Sequence, residues 1–114
     1  MPPEEGRELS YLWDMREAAQ EIVEMLKGVR FSQFEKNKVL RYAVERQLLV
    51  IGEAANHLSP QFRKKHPAIV WSQLIALRNI LAHEYGETLV SRVWLAGTKS
   101  VPELLKSLKD LLAK

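Results

Sequence analysis

Apolar residues recur every three or four positions along most of this chain. Leu12, Met15, Ala19, Ile22, Val23 and Leu26 draw a single stripe, which predicts an amphipathic helix closed by Gly28. Ser32-Gln33-Phe34-Glu35 then has the form of a capping box, with a serine oxygen for an orphan backbone N–H and a glutamate able to reach back. It predicts the start of a long second helix with Leu40, Ala43, Val44, Gln47, Leu48, Ile51, Ala55 and Leu58 on its inner face, ended by Ser59-Pro60. The segment from Gln61 to Ile69 reads as a connector, with at most one short turn of helix. Trp71-Ser72 opens a third helix through Leu74, Ile75, Leu77, Leu81 and Ala82, with Gly86 as its terminator. A fourth runs from about Thr88 through Val90, Val93 and Trp94 to Gly97. Ser100-Val101-Pro102-Glu103 caps a last helix that turns Val101, Leu104, Leu105, Leu108, Leu111 and Leu112 inward.

No segment alternates with a period of two, so the pattern predicts an all-α protein. Short connections favour antiparallel neighbours, hence an up-down bundle of four to five helices in which the first two form a hairpin. The 114 residues suffice for one domain spanning 1–114, with residues 1–8 expected as a fraying N-terminus. Three tryptophans and many large aliphatic residues exceed what so small a core holds, and the surplus predicts a homodimer.

Composition narrows the chemistry. The chain has no cysteine, which excludes disulfides and thiolate metal sites and fits a reducing compartment. Its N-terminus lacks both a basic lead and a continuous apolar run, and no stretch approaches the roughly 20 apolar residues that cross a bilayer. The expectation is a soluble, cytoplasmic protein that does not engage a membrane. The net charge of +3 is unevenly spread: residues 1–26 hold two basic and seven acidic residues, whereas residues 27–65 hold nine basic and three acidic ones. The middle of the chain therefore either faces a polyanion or presents a solvated basic surface. Arg63, Lys64 and Lys65 offer contacts to an RNA backbone, with a solvated connector as the alternative. His57, His66 and His83 match no metal-ligand spacing, and no glycine-rich phosphate loop or nucleophile elbow is present, so neither a metal nor a cofactor is expected.

One span breaks the apolar pattern: Arg78, Asn79, His83, Glu84 and Tyr85 fall within eight residues. On a regular helix Arg78 and Tyr85 share a stripe, about 20° apart, whereas His83 points about 140° away from Arg78. Arg78 and His83 converge only if the helix frays near Gly86 or if a second subunit supplies the partner group. Asn79, one turn before His83, is placed to hold its ring by a hydrogen bond. Histidine takes and gives protons near neutral pH, and arginine presents a fork of donors that fits a phosphate. Together they suit RNA cleavage by attack of the strand's own 2′-hydroxyl. A packing role, with Arg78 paired to Glu84 or a helix end and His83 packed, is the alternative. Glu53 on the second helix either faces the same cleft or is a surface charge.

The stretch Arg78-Asn79-Ile80-Leu81-Ala82-His83-Glu84-Tyr85 resembles the Arg-x4-His-x-Tyr signature of the HepT-like toxins of the HEPN superfamily. The run 51-IGEAA-55 is similar to the family's second helix, Trp71 to the tryptophan that opens its motif helix, and Pro102 with the leucines after it to its closing segment. The similarity spans roughly residues 9 to 112. It implies a dimer whose two motifs line one cleft and act as a metal-independent ribonuclease, with Arg78 and His83 catalytic and Asn79 supporting. It also implies an antitoxin partner, a nucleotidyltransferase of the MntA kind that transfers AMP to the motif tyrosine, here Tyr85. The other function class open to this sequence is a non-catalytic accessory subunit of a nucleotidyltransferase, its polar cluster holding a nucleotide or the partner enzyme.

Overall fold

The computed structural model describes residues 3–83 and 87–113. Among these, all regular structure is helical: α1 (Pro3–Leu26), α2 (Phe31–Lys36), α3 (Lys38–His57), α4 (Pro60–Lys65), α5 (Trp71–His83), α6 (Glu87–Leu95) and α7 (Val101–Leu112). No helix is long and apolar enough to cross a membrane, among the described residues.

Helix α1 is the spine of the bundle. Its stripe residues Leu12, Met15, Ala19, Ile22 and Leu26 are all buried, and so is Ala18 beside them. They meet Val44, Leu48, Ile51 and Ala55 of α3 and Val101, Leu104, Leu105 and Leu108 of α7 in one core. The α1–α3 hairpin is antiparallel: Gln47 donates to Glu21 at 2.6 Å, and the Ser59 backbone N–H donates to Glu8 at 3.2 Å. Gly28 ends the hairpin's first arm at φ +73°, a conformation that costs glycine nothing because it has no Cβ. Helix α1 begins at Pro3, so Glu8, assigned to a fraying terminus from sequence, instead lies in a helix and is tied across the hairpin.

Two further boundaries differ from the sequence reading. The long helix α3 does not open at Ser32. Residues 31–36 form the separate short helix α2, whose entry is closed by Gln33 accepting from the Arg30 N–H at 2.9 Å. Asn37, in an extended conformation, then caps α3 by accepting from the Leu40 N–H at 3.0 Å. A short polar side chain that bonds forward to the backbone is a strong helix starter, and Asn37 outcompetes the box at Ser32. The break lets Phe34 drop into the core, where its ring lies 5.2 Å from that of Trp94.

The second difference is at Gly97, expected as a helix stop. The backbone instead continues from α6 through a π-helical turn, Ala96–Ser100, directly into α7. Ser100 is itself helical and caps nothing. Pro102 explains the wide turn: in an α-helix its ring would strike the carbonyl four residues back, and an extra residue per turn relieves that clash. The Thr98 hydroxyl donates to the Trp94 carbonyl at 2.7 Å inside the turn. Gly97 serves packing, since a Cβ there would stand 2.6 Å from Leu26 Cδ1.

Replacing Phe34 by alanine removes a fully buried ring and is expected to cost about 3–5 kcal/mol in urea unfolding followed by circular dichroism. Val39→Ser, at a side chain 80% exposed, is expected to stay within about 0.5 kcal/mol of the parent, and equal losses for the two would contradict this core.

Candidate functional site

The site is built where α5 crosses α3, and a glycine sets the crossing. Gly52 is buried in the middle of α3, where glycine is disfavoured by about 1 kcal/mol relative to alanine. A Cβ at that position would lie 2.7 Å from Arg78 Cβ and 3.0 Å from the Leu74 carbonyl oxygen of α5. The two backbones therefore touch only because residue 52 has no side chain. The next residue, Glu53, is thereby brought beside the Arg78 side chain.

Arg78 donates through Nε to Glu53 Oε1. Both side chains are partly open, at 35% and 40% exposure. An ion pair in that setting is worth at most about 1 kcal/mol, so its consequence is directional rather than energetic. With Nε committed to Glu53, the terminal nitrogens of the guanidinium make no hydrogen bond among the described residues, and their fork remains for an anion. The other Glu53 oxygen faces His57 Nε2, one turn further along α3, at 3.9 Å. The His57 ring stacks on Tyr11 of α1, with centroids 5.3 Å apart and planes 15° from parallel. Three helices thus contribute to one polar seam: Arg78 from α5, Glu53 and His57 from α3, and Tyr11 from α1.

His83 is the last residue of α5 and is exposed, which removes the reading of a packed histidine. Because α5 stays helical to its final residue, the roughly 140° between Arg78 and His83 is retained. Arg78 and His83 of one chain diverge. Asn79 is exposed, and no hydrogen bond joins it to His83 among the described residues. Glu84, Tyr85 and Gly86 lie outside the described residues. Arg78 pairs with Glu53, which places that glutamate in the site rather than on an unrelated surface.

The basic run is helical, occupying the last turn of α4, where cations favour the carbonyl end of the dipole. Ser59 caps this helix by accepting from the Phe62 N–H at 3.1 Å, and Pro60 takes its first position. Helix α4 is held to the start of α5 by Trp71, whose indole donates to the His66 carbonyl at 2.9 Å and whose ring meets Phe62 edge-on. Lys64 and Lys65 are exposed, Arg63 half-buried. Sequence reasoning singled out Arg78 and His83 but not Gly52, His57 or Tyr11. A glycine at a core position of a helix, followed at once by an acid and one turn later by a histidine, was the available signal.

A helical bundle with an arginine held by an acid from the neighbouring helix, and a histidine on the same motif helix, defines a class that comparison with known proteins identifies. The chain belongs to the ribonuclease HepT-like family, whose model matches residues 15–111. It is 35% identical over 100 residues to a Methanocaldococcus jannaschii protein named "Putative RNase MJ1380", covering 88% of this chain and 92% of that one. It is 36% identical over 104 residues to "Putative RNase TTE0752" of Caldanaerobacter subterraneus subsp. tengcongensis, covering 91% of this chain and 93% of the relative. "Probable ribonuclease HepT" of Thermococcus cleftensis is 35% identical over 104 residues, 91% of each chain. No solved structure gives a significant match.

The crossing makes a prediction of its own. Gly52→Val gains only a few tenths of a kcal/mol in helix propensity and forces α5 away from α3, for a net loss of about 1–3 kcal/mol in thermal or urea unfolding. Glu53→Gln, which keeps the shape of the pair, is expected to change stability by less than about 1 kcal/mol. A Gly52→Val protein as stable as the parent would mean that the helices do not meet at this residue.

Proposed function

We propose that this protein is a metal-independent ribonuclease, the toxin of a toxin–antitoxin pair, acting in a cleft between two copies of the chain. The observation that carries the reading is the posture of Arg78: anchored through Nε by Glu53, half-exposed, with its terminal nitrogens free of hydrogen bonds among the described residues. A guanidinium so held grips a phosphodiester and stabilises the charge that builds on its non-bridging oxygens. An imidazole takes the proton of the 2′-hydroxyl as that oxygen attacks phosphorus, and an acid returns a proton to the departing 5′-oxygen. The products are a 2′,3′-cyclic phosphate and a free 5′-hydroxyl. Membership of the ribonuclease HepT-like family and the printed names of the relatives support the choice of RNA as substrate.

The divergence of Arg78 and His83 on one helix supports a homodimeric site, with the arginine of one copy facing the histidine of the other. Helix α5 suits such an arrangement because it packs chiefly on α3 and leaves Leu74, Ile75, Leu77 and Leu81 only partly buried. Asn79 lies beside Arg78 as a supporting donor, and Arg63, Lys64 and Lys65 hold the RNA backbone away from the reacting bond. Tyr85 is the acceptor for AMP delivered by a nucleotidyltransferase antitoxin of the MntA kind. A nucleotide monophosphate fixed there adds negative charge beside the motif, repelling RNA and occupying the cleft.

In EDTA the purified protein is expected to cut single-stranded RNA to cyclic-phosphate ends. Arg78→Ala and His83→Ala are each expected to slow cutting by about 100-fold or more with unchanged circular dichroism. Two variants that cut like the parent would overturn the assignment. Nucleotide binding without cutting under any condition would favour the accessory-subunit reading. Mixing the two inactive variants should restore about a quarter of parental activity, since half the dimers are then mixed and each carries one complete site. Activity that stays at zero on mixing, with subunit exchange shown by mass, would place Arg78 and His83 of a single chain in one site.

A further inference from the structure

A second feature of the molecule lies beyond His57, one helical turn along α3 from the glutamate that pairs with Arg78, and has the chemistry of a base pocket. A cavity of about 870 Å³ opens between the first turns of α1 and helix α4. This lies within the roughly 300–1,000 Å³ of sites that enclose small ligands. Arg7, Glu8 and Tyr11 line it from α1, His57 from the end of α3, and Phe62 and Lys65 from α4.

Three properties of this cavity converge. Glu8 is fixed in place because its Oε1 accepts from the Ser59 backbone N–H at 3.2 Å, while its Oε2 is buried with no hydrogen-bond partner among the described residues. A buried acceptor left open is unfavourable, and because Glu8 lines the cavity a turn of its carboxyl group brings this oxygen to a ligand N–H that would satisfy it. The walls carry flat rings: Tyr11 stacked on His57 on one side, and Phe62, backed by His66 at 4.5 Å, on the other. At the rim stand the exposed cations Arg7 and Lys65. Flat apolar faces, one acceptor in want of an N–H, and rim cations are what an unstacked nucleotide requires for its base, its base edge and its phosphate. The cavity is also connected to the site. His57 follows Glu53 by one helical turn, about 5.4 Å, and Glu53 holds Arg78.

We infer that this cavity is a base-binding subsite for a nucleotide flanking the bond cut, and that Glu8 selects bases that present an amine edge to it. The inference rests on the ribonuclease reading. Guanine, adenine and cytosine offer exocyclic N–H groups to an acceptor. Uracil offers a single N3–H between two carbonyl oxygens, which a carboxyl group repels. The subsite therefore discriminates against uridine at one position and tolerates the other bases.

The test uses the full chain carrying His83→Ala, so that RNA stays intact, and measures affinity for labelled oligo(A), oligo(C), oligo(G) and oligo(U) by fluorescence anisotropy. Oligo(U) is expected to bind about ten-fold more weakly than the best of the others, the effect of one hydrogen bond to a charged group. Glu8→Gln, whose amide both donates and accepts, should remove most of that difference. Tyr11→Leu, which keeps apolar bulk but not the flat ring, should weaken every oligonucleotide about ten-fold. Lys65→Ala should weaken all four alike and reduce the salt dependence. Equal affinity for all four in the His83→Ala chain, or a Glu8→Gln protein with undiminished discrimination against oligo(U), overturns the subsite. So does a free mononucleotide that binds as tightly as the oligonucleotide, because the cavity would then serve a diffusible ligand. These outcomes are distinguishable from failure of the ribonuclease reading, which shows instead as Arg78→Ala and His83→Ala proteins that cut RNA as the parent does.

Discussion

The approach of α5 to α3 at Gly52 is the constraint on which the rest of the site depends. Backbones of two helices normally stand apart by the depth of their side chains, 8–10 Å between axes. Here a single missing Cβ brings Leu74 and Arg78 onto the surface of α3. That closeness decides which acid Arg78 can reach. Glu53 follows Gly52 directly, so the residue that permits the contact and the residue that exploits it are adjacent in the chain. A helix lowered in propensity at that point is offset by the α1, α3 and α7 core, which buries a continuous set of aliphatic side chains along the same helix.

Magnitudes separate stability from function at this crossing. The Arg78–Glu53 pair is about one-third to two-fifths exposed, and pairs of that kind contribute at most about 1 kcal/mol. A fully buried ring such as Phe34 contributes several times more. The pair is therefore a poor way to hold the fold together and a good way to hold a guanidinium in one orientation. Its geometry has a second consequence. Glu53 shares its other oxygen with His57, so the posture of Arg78 is linked through one carboxylate to the Tyr11–His57 stack and to the wall of the cavity beside it.

Much of this architecture is legible in the sequence, and the failures have physical causes. The stripes of α1, α3 and α7 are visible because those helices bury one continuous face, and a period near 3.6 reports burial directly. Boundaries are less legible where the residue that sets them acts only through packing or local capping. Ser32 reads as the helix starter, whereas Asn37 caps α3 in the structure, and only the burial of Phe34 between them shows that the chain stops and restarts. Gly97 and Ser100 read as punctuation, yet Gly97 is a packing residue against Leu26 and the local distortion belongs to Pro102. In the site, Arg78 and His83 stand out as polar residues in an apolar helix, whereas Gly52 and Tyr11 do not, since their roles arise only from which helices meet. Tyr85 carries its meaning from the motif alone, because it lies outside the described residues.

The uneven charge along the chain acquires a use in this arrangement. Helix α1 keeps Asp14, Glu17 and Glu24 exposed, which disfavours a polyanion along most of its length. The basic middle of the chain ends in Arg63, Lys64 and Lys65 on α4, and the cavity lies where that run meets the start of α1. On the proposed ribonuclease reading, a strand held by Arg78 is drawn towards α4 and repelled from the outer face of α1. At the boundary between the two fields sits Glu8, which lines the cavity and is fastened to Ser59. An acid in that position weakens non-specific backbone binding; Glu8 ties the hairpin through the Ser59 N–H, and on the proposed reading its other oxygen meets a donor on the RNA. Holding a backbone with cations and reading a base with a buried acceptor are different tasks, and on the proposed reading the split of charge between α1 and α4 assigns them to opposite walls of one cavity.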